Sequence, residues 1–152
     1  MSLSSEVVVA SAMPLPDDLS QCLVLNTVAA ARSLLRRNDA KLKPFGVTVQ
    51  QFSLLAAIRF HPDEPVATLA QRVLLDRTSL TRNLDRLERK GLMRRIEGKA
   101  GNARVCELTE QGNLLLDRLL PEWQRSRGKL MEGLSDEDVG SYLRVSRRLT
   151  QE

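Results

Sequence analysis

The sequence predicts a mainly α-helical fold that carries one small β-hairpin and is bounded by long helices at both ends. Three observations lead there. Apolar residues recur at helical spacing, as Leu80, Leu84 and Leu87 do in "DRTSLTRNLDRLERKG", residues 76–91. Good helix-starting residues, Thr48, Asp76, Thr109 and Ser135, stand just before such periodic runs. "LMRRI" and "RVCEL" alternate apolar and polar residues around the loop "EGKAGNA", the pattern of two paired strands.

The elements follow in order. Residues 1–16, rich in Ser, Ala and Pro, read as a loose arm, and a single domain of 17–152 follows. A long helix is expected from Asp17 to Lys43, where Leu19, Leu23, Leu25, Val28, Leu34 and Leu35 with three alanines make it apolar on more than one face. Cover for such a helix in so short a chain would come from a second subunit. Pro44 and Gly46 end it. "VQQFSLLAAIRF" is the second helix, and "HPDEP" is a turn. "ATLAQRV", the short turn "LLD" and the helix begun by Asp76 form a helix-turn-helix, closed by Gly91. The hairpin, about 92–108, then makes a winged helix. Thr109 starts another long helix, which Pro121 should bend near Leu120. Ser135 with Asp138 starts the last.

Composition narrows the function. At 42% apolar and 28% charged residues the chain is of the soluble globular class. No run reaches the roughly 20 apolar residues needed to span a bilayer, and the start lacks the basic residues of a signal peptide, so a cytoplasmic place is expected. Cys22 and Cys106 form no C-x-x-C motif, and with His61 alone no zinc site is expected; both thiols should be free. No cofactor is implied. A Gly-rich phosphate loop, G-x-S-x-G and H-E-x-x-H are all absent, so an enzyme is not expected. From Arg72 to Arg104 there are ten Lys or Arg against four acids, a net +6 within a chain of +4. That concentration is the footprint of a nucleic-acid contact. Aromatic residues make up 3% of the chain and none lies in the basic segment, which favours duplex DNA over stacked single-stranded RNA.

In this order of parts, and in "LAQRVLLDRTSLTRNLDRLERKGLMRR" followed after the hairpin by "LTEQG", the whole chain resembles the MarR family of bacterial transcription regulators. The resemblance implies a homodimer with 17–47 and 109–152 as dimerisation helices and 48–108 as the winged helix-turn-helix. It implies binding to a pseudo-palindromic operator, repression by default, and release by a small phenolic or lipophilic effector or by oxidation of a cysteine. A protein-interaction module without operator recognition is the alternative. The family's wing carries an Asp and, two residues on, an Arg; those positions are Ala100 and Asn102 here. Its common turn glycine is Leu74 here.

Recognition helices read bases near their N-termini. Base reading is therefore expected of Arg77, Thr78, Ser79, Arg82 and Asn83, and phosphate binding of Thr81 and Arg86. Lys99 and Arg104 would stand in for the wing arginine. Asn26, His61 and Trp123 are the candidate effector residues. Cys22 is the candidate redox residue, although the family's peroxide-sensing cysteine falls on Val24; Cys106 should be packed in the wing.

Overall fold

The computed structural model describes residues 16–99, 101 and 103–151, so the expected arm lies outside the described residues but for Pro16. A one-turn helix α1 (Asp17–Ser20) leads to α2 (Leu23–Leu42), and a 3-10 turn (Lys43–Phe45) leads to α3 (Val49–Phe60). Then come α4 (Val66–Val73), α5 (Arg77–Arg89), the strands β1 (Met93–Glu97) and β2 (Arg104–Leu108), α6 (Glu110–Met131) and α7 (Asp136–Leu149). The strands pair antiparallel from Met93 opposite Leu108 to Glu97 opposite Arg104.

Side-chain caps set the helix starts. Thr48 Oγ1 accepts the Gln51 N–H at 3.2 Å while Gln51 Oε1 accepts the Thr48 N–H at 3.3 Å, closing a capping box at α3. Ser135 and Asp138 repeat the arrangement at α7. Thr109 Oγ1 accepts the Gly112 N–H at 3.1 Å and donates to the Gly91 carbonyl at 2.6 Å, so one hydroxyl starts α6 and fastens it to the end of α5. Pro121 falls inside α6, which runs on through it to Met131.

The first long helix differs from expectation. It breaks at Gln21–Cys22, where Cys22 is extended (φ −65°, ψ 120°) and Asn26 Nδ2 donates to the carbonyls of Ser20 and Cys22, each at 2.8 Å. An Asn amide that takes carbonyls in this way competes with the helical ladder. The far end tightens into the 3-10 turn because Pro44 has no N–H to continue the α pattern.

The core lies in the middle of the chain. Leu54 and Leu55 of α3, Leu69 of α4, Leu84 and Leu87 of α5, Met93 of β1 and Leu116 and Leu119 of α6 are almost wholly buried. By contrast, α2 supplies only Leu42 to the buried set and α7 supplies nothing. Leu23, Val24, Leu25 and Val28 on α2, and Tyr142, Leu143, Val145 and Leu149 on α7, are exposed.

Candidate nucleic-acid interface

The turn between α4 and α5 is short because Leu74 adopts a left-handed conformation, φ 52° and ψ 38°, a strained choice for a side chain with a Cβ. The Leu75 N–H still reaches the Ala70 carbonyl at 3.3 Å. Asp76 then caps α5: its carboxylate accepts the Ser79 N–H and the Ser79 hydroxyl, both at 2.8 Å. Those bonds, the backbone one first, hold the Asp76 pKa below the ordinary carboxylate value.

The two sides of α5 divide by the helical period. Leu80, Leu84 and Leu87 face inward and are at most 4% exposed. Arg77, Thr78, Thr81, Arg82 and Arg86 are exposed on the outer side. Among the described residues no carboxylate lies within 4 Å of Arg77, Arg82 or Arg86. Neighbouring acids are occupied elsewhere. Arg95 of β1 reaches Asp85 at 2.8 Å and Glu88 at 3.1 Å. Arg72 pairs with Glu64, and Arg94 with Glu107. The uncompensated charge of α5 is therefore on its outer face, where it favours an anion.

Two expected readers sit differently. Ser79 is half-buried and its hydroxyl serves the Asp76 cap. Asn83 is corrected: it lies inside, 6% exposed, with its amide bonded to Gln50, Gln51 and the Ser79 carbonyl, so it does not face outward at all. In the wing, Lys99 is 88% exposed and lies 3.2 Å from Asp63, a surface pair of little energetic weight. Arg104 is exposed at the start of β2. Ala100 and Asn102 lie outside the described residues.

Residues 47–114 match the family model of the MarR family. The transcriptional regulator MosR of M. tuberculosis, solved in complex with DNA, is 33% identical over 86% of this chain and 95% of its own, with a TM-score of 0.76. This chain belongs to the MarR family. A second structure of MosR agrees, at 31% identity over 86% and 98% of the two chains and a TM-score of 0.72. CouR of Rhodococcus jostii, solved with p-coumaroyl-CoA, shares the fold at 20% identity, with 89% and 96% coverage and a TM-score of 0.78. MarR proteins are transcription regulators, and the winged helix of this member is the mainly helical fold with a hairpin that its sequence predicted.

This MarR-family chain does not gather its three candidate effector residues. Asn26 is exposed and closes the break before α2. His61 ends α3 beside a shallow cavity that includes Phe60 and Val73. Trp123 stacks on Phe52, ring centres 4.6 Å apart, and lines a separate cavity of about 480 Å³ between α2 and α6. Cys22 is half-buried at the α2 N-cap, and Cys106 is buried in the wing, where loss of water pushes its thiol pKa up. Sequence reasoning missed Arg95, whose task depends on the carboxylates of α5 that the strand is folded back against, and Gln51, which reads as an ordinary helix residue.

Proposed function

We propose that this chain is a sequence-specific DNA-binding regulator that acts as a homodimer on a pseudo-palindromic operator, represses by default and is released by a small aromatic or lipophilic effector. The observation that carries this reading is the outer face of α5, where Arg77, Arg82 and Arg86 stand without carboxylate partners over a leucine-packed inner face. Arg77, Thr78 and Arg82, in the first turns of α5, take base edges in the major groove. Arg82 suits the O6 and N7 of a guanine. Thr81 and Arg86 take phosphates, and Lys99 and Arg104 extend the contact from the wing. The DNA complex of a relative at 33% identity supports the same partner.

The exposed apolar residues of α2 and α7 support the homodimer, because isolated surface leucines are ordinary but a run of them on two neighbouring helices needs cover. For the effector, Trp123 and Phe45 line the cavity between α2 and α6, with Lys41 of α2 and Lys129 of α6 also in its lining. An aromatic acid would stack on the rings and pair with the ammonium groups. The cytoplasm is the place where such a partner is met, and no described helix is long and apolar enough to cross a membrane.

The test is a fluorescence-anisotropy titration against a duplex selected by the wild-type protein from a random pool. Arg82→Ala should weaken binding at least tenfold while circular dichroism stays that of the wild type, because one bidentate base contact is worth about 1–3 kcal/mol. Affinity should also fall steeply with added salt as counterions are released. Wild-type affinity in the variant would end the assignment of Arg82.

A further inference from the structure

Gln51 and Asn83, 3% and 6% exposed, are the buried polar side chains of the described residues, and they are bonded to each other. One belongs to α3 and the other to the inner face of the reading helix. Asn83 shares its stripe with Leu80, Leu84 and Leu87, at the i, i+3, i+4, i+7 spacing that leucines would fill equally well. Placing an amide there has to be justified by something other than burial, since a buried amide must find partners for its polar atoms.

Those partners form one continuous chain. Asn83 Nδ2 donates to the Ser79 carbonyl at 2.9 Å and to Gln50 Oε1 at 3.3 Å. Its Oδ1 accepts from Gln51 Nε2 at 3.4 Å, and Gln51 Oε1 accepts the Thr48 N–H. Both ends are fixed by backbone groups, a carbonyl at Ser79 and an N–H at Thr48, so each amide has one orientation that satisfies all its bonds. The chain is anchored further by Asp39 of α2, whose Oδ1 accepts the Val49 N–H at 2.7 Å. At the other end Ser79 is tied to the Asp76 cap, beside Arg77 and Thr78.

Leucine contacts are non-directional and let a helix roll or slide at small cost, whereas hydrogen bonds fix an angle. A roll of about 20° moves a group at the helix surface by about 2 Å, enough to break a bidentate base contact. A lone buried Asn fixes register in the same way between coiled-coil helices. We infer that Gln50, Gln51 and Asn83 are positioning residues that hold the rotation of α5 on α3 and so decide which bases Arg77, Thr78 and Arg82 read. This rests on the DNA-reading role assigned to α5 above.

The test replaces both buried amides by apolar groups of similar size, Gln51→Met with Asn83→Leu; this leaves no polar orphan within the pair but frees the Thr48 N–H of the capping box, so Tm should stay the same or fall slightly. Against the wild-type-selected duplex and a scrambled one, the ratio of affinities should fall at least tenfold, with binding to the scrambled duplex and its salt slope unchanged. An unchanged ratio would overturn the inference. Gln50→Met, at an exposed position, removes one bond without endangering the fold, and should lower the ratio two- to fivefold; no change there counts against the proposal if the double variant does not fold. A separate readout needs no DNA. Backbone amides of α5 from Leu80 to Leu87 should show exchange broadening in NMR relaxation dispersion of the free double variant, as the helix samples other rotations, and dispersion equal to the wild type would refute the positioning role. Such broadening with a wild-type protein that shows no sequence preference would leave the positioning role standing and sink the operator reading instead.

Discussion

The α-carbon of Gly112 has room for a hydrogen and nothing more on its inner side, because a Cβ there would lie 2.0 Å from the Leu92 carbonyl oxygen. That oxygen also accepts the Thr109 N–H at 3.1 Å, so it cannot retreat without breaking the joint between the wing and α6. Gly112→Ala should therefore destabilise the protein by about 3 kcal/mol, at the upper end of overpacking effects, read as a fall in the denaturant midpoint with unchanged slope. A midpoint equal to the wild type would show that the joint has slack. Thr48, Asp76, Thr109 and Ser135 were legible as caps because each bonds an N–H three residues on. The need at Gly112 was not legible, since the atom that imposes it belongs to a residue twenty positions earlier. Asn83 was misread for a related reason: among so many outward donors it looked like one more, although its spacing from Leu80 and Leu87 placed it on the inner stripe.

At the scale of the element, α5 carries acids as well as arginines, and what it shows to a polyanion depends on the strand beside it. The Arg95 guanidinium spans Asp85 and Glu88, and the backbone N–H of Arg95 also reaches Glu88 at 3.2 Å. Two carboxylates that would repel phosphates are thereby neutralised while Arg82 and Arg86 stay free. Removing Arg95 should harm DNA binding even though the residue faces the protein. We expect Arg95→Ala to weaken binding roughly three- to tenfold at about 50 mM salt and much less at high salt, where exposed charges are screened. Thermal unfolding of the variant separates this from a loss of fold, and a salt-independent effect would point to distortion of α5 rather than to charge. The two faces of α5, its start and its end could be read from period and capping alone. The pairing with Arg95 could not, because it depends on the turn after α5, where the Gly91 and Leu92 N–H groups bond back to the carbonyls of Glu88 and Leu87 and lay the strand beside the helix.

For the molecule as a whole, the division between a packed centre and poorly covered ends is the feature that asks for a partner. The middle helices bury leucines almost completely, yet Val145 and Leu149 of α7 remain 45% and 54% exposed, while Leu143 lines an apolar cavity with Leu34 and Leu130. A second copy that offers the same helices can cover both sets at once, which is the self-complementary contact of a two-fold dimer. It would also present two copies of α5, as two half-sites of an operator require. Val145→Glu, at an exposed position outside the cavity that Leu143 lines, puts a charge where a dimer would bury it, so within one chain it should be tolerated as a surface change. In sedimentation the wild type should run at twice the chain mass and the variant at the single mass. Because subunits of obligate dimers often lack a stable fold alone, circular dichroism decides whether the separated chain keeps its helices. Binding to a duplex with two half-sites should fall by at least the tenfold lost with one shared contact, while a half-site duplex should be bound about as the wild type binds it. A variant that stays dimeric would place the interface elsewhere, a wild type that sediments as a monomer would end the homodimer reading, and either would leave the exposed face of α7 without a role in assembly.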